Sequence, residues 1–299
     1  MKNKFFVKGG ILLFSSALMM SCGGSNEIDV DIEETDSTTK TVETIGLNVP
    51  TIEYSVPTPN ELFEIIKSQG GVLKIELINS LDNEEGYIDV KSKALNFGIY
   101  SADLGYMSCF DHSIEFLKYT KSVERLGDEL GISEVFDKEL MDRIENNEGN
   151  NDSLFIISND TYYNSYQYLE ENEKGTELAL IISGGFIESL YIVINLVDDY
   201  SDDNEIVEKI GDQKLVLENI LDFCMTYMDE PSVKETMDDL FALSETFENN
   251  MDFIEAESSI KTDGDVVTLS GGGHFKMNKK AFDAVKEKIT EIRTKITQK

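Results

Sequence analysis

The chain has 299 residues, of which 58 are Asp or Glu and 26 are Lys or Arg, for a formal charge of −32. A surface that negative repels a phosphate backbone, whose binding rests on cationic side chains neutralising it, so nucleic acid is excluded as a partner. The same field attracts cations and basic proteins, although its commonest meaning is a well-solvated surface.

The chain opens on Lys2, Lys4 and Lys8, followed by an apolar run at 9–20 (GGILLFSSALMM) and then Ser21-Cys22-Gly23-Gly24. Twelve apolar residues are too few to span a bilayer, which takes roughly 20 at 1.5 Å each, so the run reads as the core of an export signal. Small residues around a cysteine at the end of such a run resemble the lipobox of bacterial lipoproteins, with Met19 departing from the usual Leu. The resemblance covers residues 1–24. It implies cleavage before Cys22 and lipidation of Cys22, and hence an outer-membrane lipoprotein held to the membrane through its N-terminal lipid. Two or three acyl chains anchor durably where one is marginal. Loss of 1–21 would leave 23 basic residues against 58 acidic ones, a charge of −35.

From Cys22 to Pro57 the sequence is rich in Ser, Thr and acids with no helical stripe, and reads as a disordered tether. Its acids at 27–36 (EIDVDIEETD) loosely resemble the surface-export signals of lipoproteins from the Bacteroidota, which leaves cell surface and periplasmic face both open.

Folding is expected from Thr58-Pro59-Asn60-Glu61, a capping box with Pro at the first helical position. From there the spacing predicts a mainly α, single multi-helix bundle over 58–299, with eight to nine helices. They fall near 59–69, 88–109, 111–130, 134–147, 152–171, 176–197, 204–228 and 232–248, with 72–81 ambiguous and Ser133 and Ser232 as caps. No fixed repeat recurs. Asp263-Gly264 between β-branched runs predicts a hairpin at 258–269. The last helix, 278–297, carries Phe282, Val285, Ile289, Ile292 and Ile296 as one apolar seam. Residues 276–299 hold a charge of +5, so this helix is expected to dock on the acidic body, with a handle for a partner or headgroups as the alternative.

Ala94, Gly98, Ala102 and Gly105 on one helix and Ser183, Gly184 and Gly185 on another predict a close crossing at glycines, or else a groove lined by backbone. The stretch 178–197 has one charge and the length to cross a membrane, but Glu188, its glycines and the acids after it favour a core helix. Glu188 and Asp103 sit among apolar neighbours, where a carboxylate is either paired or has a raised pKa. They are the candidate ligand-binding residues, for a cationic ligand or an acid–base step, against a structural role in which Tyr, Lys or Arg holds each.

Other chemistries are missing. His112 and His274 fit no metal pattern, the acidic clusters fail the calcium-loop spacing, and no GxSxG, GxxxxGK[ST] or GxGxxG occurs. No catalytic residue, metal or cofactor is expected. Gly271-Gly272-Gly273-His274 reads as a flexible connection. Cys109 and Cys224 read as core thiols rather than a disulfide, whose geometry two helices rarely meet. The phrases 96–106 (NFGIYSADLGY) and 184–191 (GGFIESLY) resemble uncharacterised lipoproteins of the Bacteroidota, a likeness that supplies a cellular setting and no activity. The functional expectation is a lipid-anchored, non-enzymatic binding or structural module with an envelope protein or cationic ligand as partner. Its rival is an enzyme or small-ligand receptor using Glu188 and Asp103 in the glycine groove.

Overall fold

The computed structural model describes residues 60–68, 73–110, 112–254, 259–263, 266–270 and 274–298. The signal segment 1–21, the lipidation site Cys22, the tether to Pro57 and the Thr58-Pro59 start therefore lie outside the described residues. So do Gly264 and the run 271–273.

The fold is a mainly α-helical bundle. Helix α1 (Asn60–Ser68) is followed by two short 3-10 turns, Ile75–Leu77 and Leu81–Gly86. Then come α2 (Val90–Met107), α3 (Ser113–Leu130), a 3-10 turn (Ser133–Val135), α4 (Lys138–Asn146), α5 (Asn151–Glu171), α6 (Gly175–Leu196), α7 (Glu205–Met225), α8 (Pro231–Asn250) and, after the strands, α9 (Lys279–Thr297).

Local chemistry sets the helix ends. Asp89, Asp137, Asn150, Asn204 and Asn278 each accept a backbone N–H of the first turn of α2, α4, α5, α7 and α9, satisfying donors with no partner inside the helix. Gly131 ends α3 at φ 74°, a left-handed turn that suits glycine, with Ile132 N–H donating to the Gly127 carbonyl.

Two expectations are corrected. Ser133 starts a 3-10 turn instead of capping a helix across 134–147, because the Asp137 carboxylate caps α4 from within that span. Ser232 is not a cap either; Pro231 takes the first position of α8 and Glu230 precedes it. Within the stretch left ambiguous lies the 3-10 turn Ile75–Leu77, and the second, Leu81–Gly86, begins at its end.

Two antiparallel ladders precede α9. β2 (Ser259–Asp263) pairs with β3 (Val266–Ser270) as the expected hairpin, and β1 (Asp252–Ile254) pairs with β4 (His274–Lys276), which the sequence reading lacks.

The core is built around α2 and α6, the most extensive helix pair. They meet at glycines. A Cβ on Gly98 would strike the Ile181 carbonyl and the Gly185 amide, and one on Gly184 would strike the Leu95 carbonyl, so neither site has room for a side chain. Gly105 is spent elsewhere, against Asn60 and Phe63 of α1. Helix α6 is long and apolar enough to cross a membrane, yet 89% of its most apolar window is buried within the protein. It is the central core helix.

Helix α9 lies against α8 and α6. Phe282, Val285, Ile289 and Ile292 are buried, and at about 1.5–3 kcal/mol each their burial outweighs any single ion pair the helix makes. Lys295 adds a surface bridge to Asp239 at 2.8 Å.

Candidate functional site

The two carboxylates singled out in the sequence are brought together at the centre of the bundle. Asp103 on α2 and Glu188 on α6 are both fully enclosed, at 0% exposure. Glu188 is held by Arg293 of α9. Nε donates to Oε2 at 2.9 Å and Nη2 to Oε1 at 2.8 Å, a two-point fork, while Nη2 also reaches the Leu77 carbonyl at 3.0 Å. The guanidinium lies over the Tyr191 ring, 4.4 Å from its centroid. Burial works against the charge on Arg293, but the charge and hydrogen bonds of Glu188 outweigh it and hold the pKa above its usual range.

Asp103 has a different environment. Its Oδ2 accepts the Asn79 backbone N–H at 3.1 Å, and its Oδ1 meets no donor from another residue. Burial, then the neighbouring Glu188 charge, raises its pKa well above the ordinary 3.8. A carboxyl so placed holds its proton to higher pH than an exposed aspartate does. One arginine thus directly balances the Glu188 carboxylate, while Asp103 has no cation of its own at hydrogen-bond distance among the described residues.

Around this triad is a polar shell that the sequence reading missed. Asn79, at 1% exposure, sits in the turn region before α2. Its Nδ2 donates to Tyr87 Oη at 3.0 Å and Asn96 Oδ1 at 3.2 Å, while its carbonyl accepts from Tyr119 Oη at 2.6 Å. Tyr100 Oη donates to the Ser80 carbonyl at 2.9 Å, and burial pushes the hydroxyls of Tyr100 and Tyr119 above their usual pKa. The network pins the non-helical segment 73–87 to α2, α3, α6 and α9. Its sequence signals were faint: Asn79 lies in the ambiguous stretch, and Arg293 is one residue past Ile292 of the α9 seam.

No family model, curated protein or solved structure matches the chain.

Three cavities bear on access. One, between α2, α3, α4 and α5, is apolar and holds about 20 Å³, the space of one water. A second, of about 400 Å³, opens where α2, α8 and α9 meet, and its charged rim is paired internally, Lys91 with Glu235 at 2.7 Å and Lys295 with Asp239. The third, of about 540 Å³, lies between the Leu81–Gly86 turn and α3. None of the three is lined by Glu188 or Asp103. The groove imagined between the glycine helices is closed by the helices themselves.

Among the described residues, no three His, Cys, Asp or Glu side chains are grouped as a metal ion would need. Cys109 and Cys224 are free thiols, and burial pushes them up to about 12 and about 11, which makes both poor nucleophiles. The arrangement at Glu188 and Asp103 is suited to fixing α9 and the 73–87 segment onto α2 and α6, and offers no open face for a substrate.

Proposed function

We propose that the protein is a lipid-anchored component of the bacterial cell envelope whose helical body acts as a non-enzymatic binding or structural module. The observation that carries the non-enzymatic part is the enclosure of Glu188 and Asp103: both are at 0% exposure, with Glu188 forked by Arg293 and Asp103 accepting from Asn79. Support for the anchored part comes from the basic start, the short apolar run and Cys22 between small residues. Export to the outer membrane, on either its surface or its periplasmic face, follows from that signal, and an envelope protein is the partner class that fits this location.

The anchor is tested by Cys22→Ser. Acyl chains contribute about 0.8 kcal/mol per buried methylene, and on this reading they are the durable hold on the membrane. The expected outcome is release of the variant into the soluble fraction or retention of an uncleaved precursor. Mature variant that stays wholly with membranes through a carbonate wash would overturn the anchor. Glu188→Gln tests the other half: the amide keeps much of the hydrogen bonding but leaves Arg293 without its counter-charge, so a less stable variant whose folded form keeps its envelope association is expected. A variant that folds normally but loses that association would return Glu188 to a working role.

A further inference from the structure

The cavity between the Leu81–Gly86 turn and α3 carries an observation that the anchored-module reading does not use. Lys118, Lys121 and Arg125 fall at i, i+3 and i+7 on α3, on one face with Ser122, and all four line this cavity of about 540 Å³. Such a volume falls within the roughly 300–1,000 Å³ of small-molecule sites.

Arg125 is fixed from behind. Glu84, only 8% exposed, takes its Nε and Nη2 in a two-point pair and also accepts from Ser122 Oγ at 2.7 Å. The Arg125 side chain is 60% exposed, and its Nη1 makes no hydrogen bond among the described residues. A buried carboxylate that orients an arginine while leaving one edge of the fork open presents a preorganised donor set.

The lysines beside it are short of partners. Lys118 has Glu115 only at 4.0 Å, and Lys121 has no ion pair among the described residues. Lys67, Lys74, Lys91 and Lys93, by contrast, each sit within 2.7 Å of a carboxylate. In a chain with 58 acids to 26 bases, Lys118, Lys121 and Arg125 nevertheless converge on one cavity. The rim also holds Glu85, and Glu129, which Lys93 occupies.

We infer that this cavity binds a small ligand bearing an oxyanion, a carboxylate or phosphate, against Lys118, Lys121 and the open edge of Arg125. Glu85 on the opposite wall favours a ligand that also carries a hydroxyl or ammonium donor. Arg125 touches the ligand, whereas Glu84 and Ser122 are positioning residues. The inference is independent of how the protein is anchored.

The test is titration of the full-length chain, purified in detergent, with inorganic phosphate and separately with citrate, against sodium chloride at matched ionic strength. Saturable binding of at least one anion is expected, read by calorimetry and by a rise in melting temperature above the chloride control. Phosphate alone identifies the phosphate class and citrate alone the carboxylate class. Lys121→Glu, at an exposed site with no folding role, should weaken binding at least tenfold while leaving the unliganded melt and far-ultraviolet spectrum unchanged. Lys118→Glu should act likewise. No saturable binding of either anion at millimolar concentration, or equal affinity in the Lys121→Glu variant, would overturn the assignment.

Discussion

Asp103 and Glu188 show how two enclosed carboxyls differ by their neighbours. Glu188 faces a guanidinium, whereas burial and then the Glu188 charge raise the pKa of Asp103. This has a consequence for stability. Unfolded, Asp103 releases its proton near 3.8; folded, it keeps it to much higher pH. Over that interval the native state binds more protons than the unfolded one, so this group's contribution weakens as pH rises, by about 1.4 kcal/mol per unit for one proton. Asp103→Asn supplies a permanent neutral donor and acceptor of similar shape. The variant should equal or exceed the wild type in denaturant stability at pH 7–8, and its advantage should shrink toward pH 4. A variant less stable than wild type by more than about 1 kcal/mol at pH 8 would show that Asp103 is needed charged.

Among the elements, the α2–α6 crossing was legible in the sequence because a glycine inside an apolar helix costs about 1 kcal/mol relative to Ala, a loss that a close backbone approach offsets. Gly184 and Gly98 confirm it through backbone atoms that occupy the place of a side chain. Gly105 misled, since a small residue shows that something comes close but not what, and here it is Asn60. Gly184→Leu must push Leu95 and its carbonyl aside, so a loss of at least about 1–3 kcal/mol is expected from chemical unfolding. An unchanged midpoint would refute the tight crossing. The α9 seam was equally readable, because a period of three and four admits one buried face. The pairing of β1 with β4 was not, as three-residue strands carry too little pattern to register.

Taken whole, the molecule's class and most of its helices were readable from periodicity and caps, and its two key carboxylates were found by their apolar neighbours. Their partner was not. Arg293 lies 105 residues from Glu188, on a helix whose basic character suggested surface attraction to the body rather than an arginine inserted into its centre. Long-range pairing of this kind leaves no local trace, and Asn79 in an irregular segment leaves even less. The hydrophobic seam buries α9 against the bundle, and the Arg293–Glu188 fork ties one point of that helix to α6.

The most direct measurement of that central claim is a double-mutant cycle on the fork by equilibrium denaturation. Arg293→Met leaves Glu188 buried without its cation and should cost about 3–5 kcal/mol. Glu188→Met leaves Arg293 uncompensated and should cost a similar amount. The double variant, with an apolar pair in their place, should recover most of the loss, so the single effects are strongly non-additive. Additive losses would show that the two side chains are not coupled, and single variants within about 0.5 kcal/mol of wild type would show that the fork holds nothing in place; either contradicts the claim.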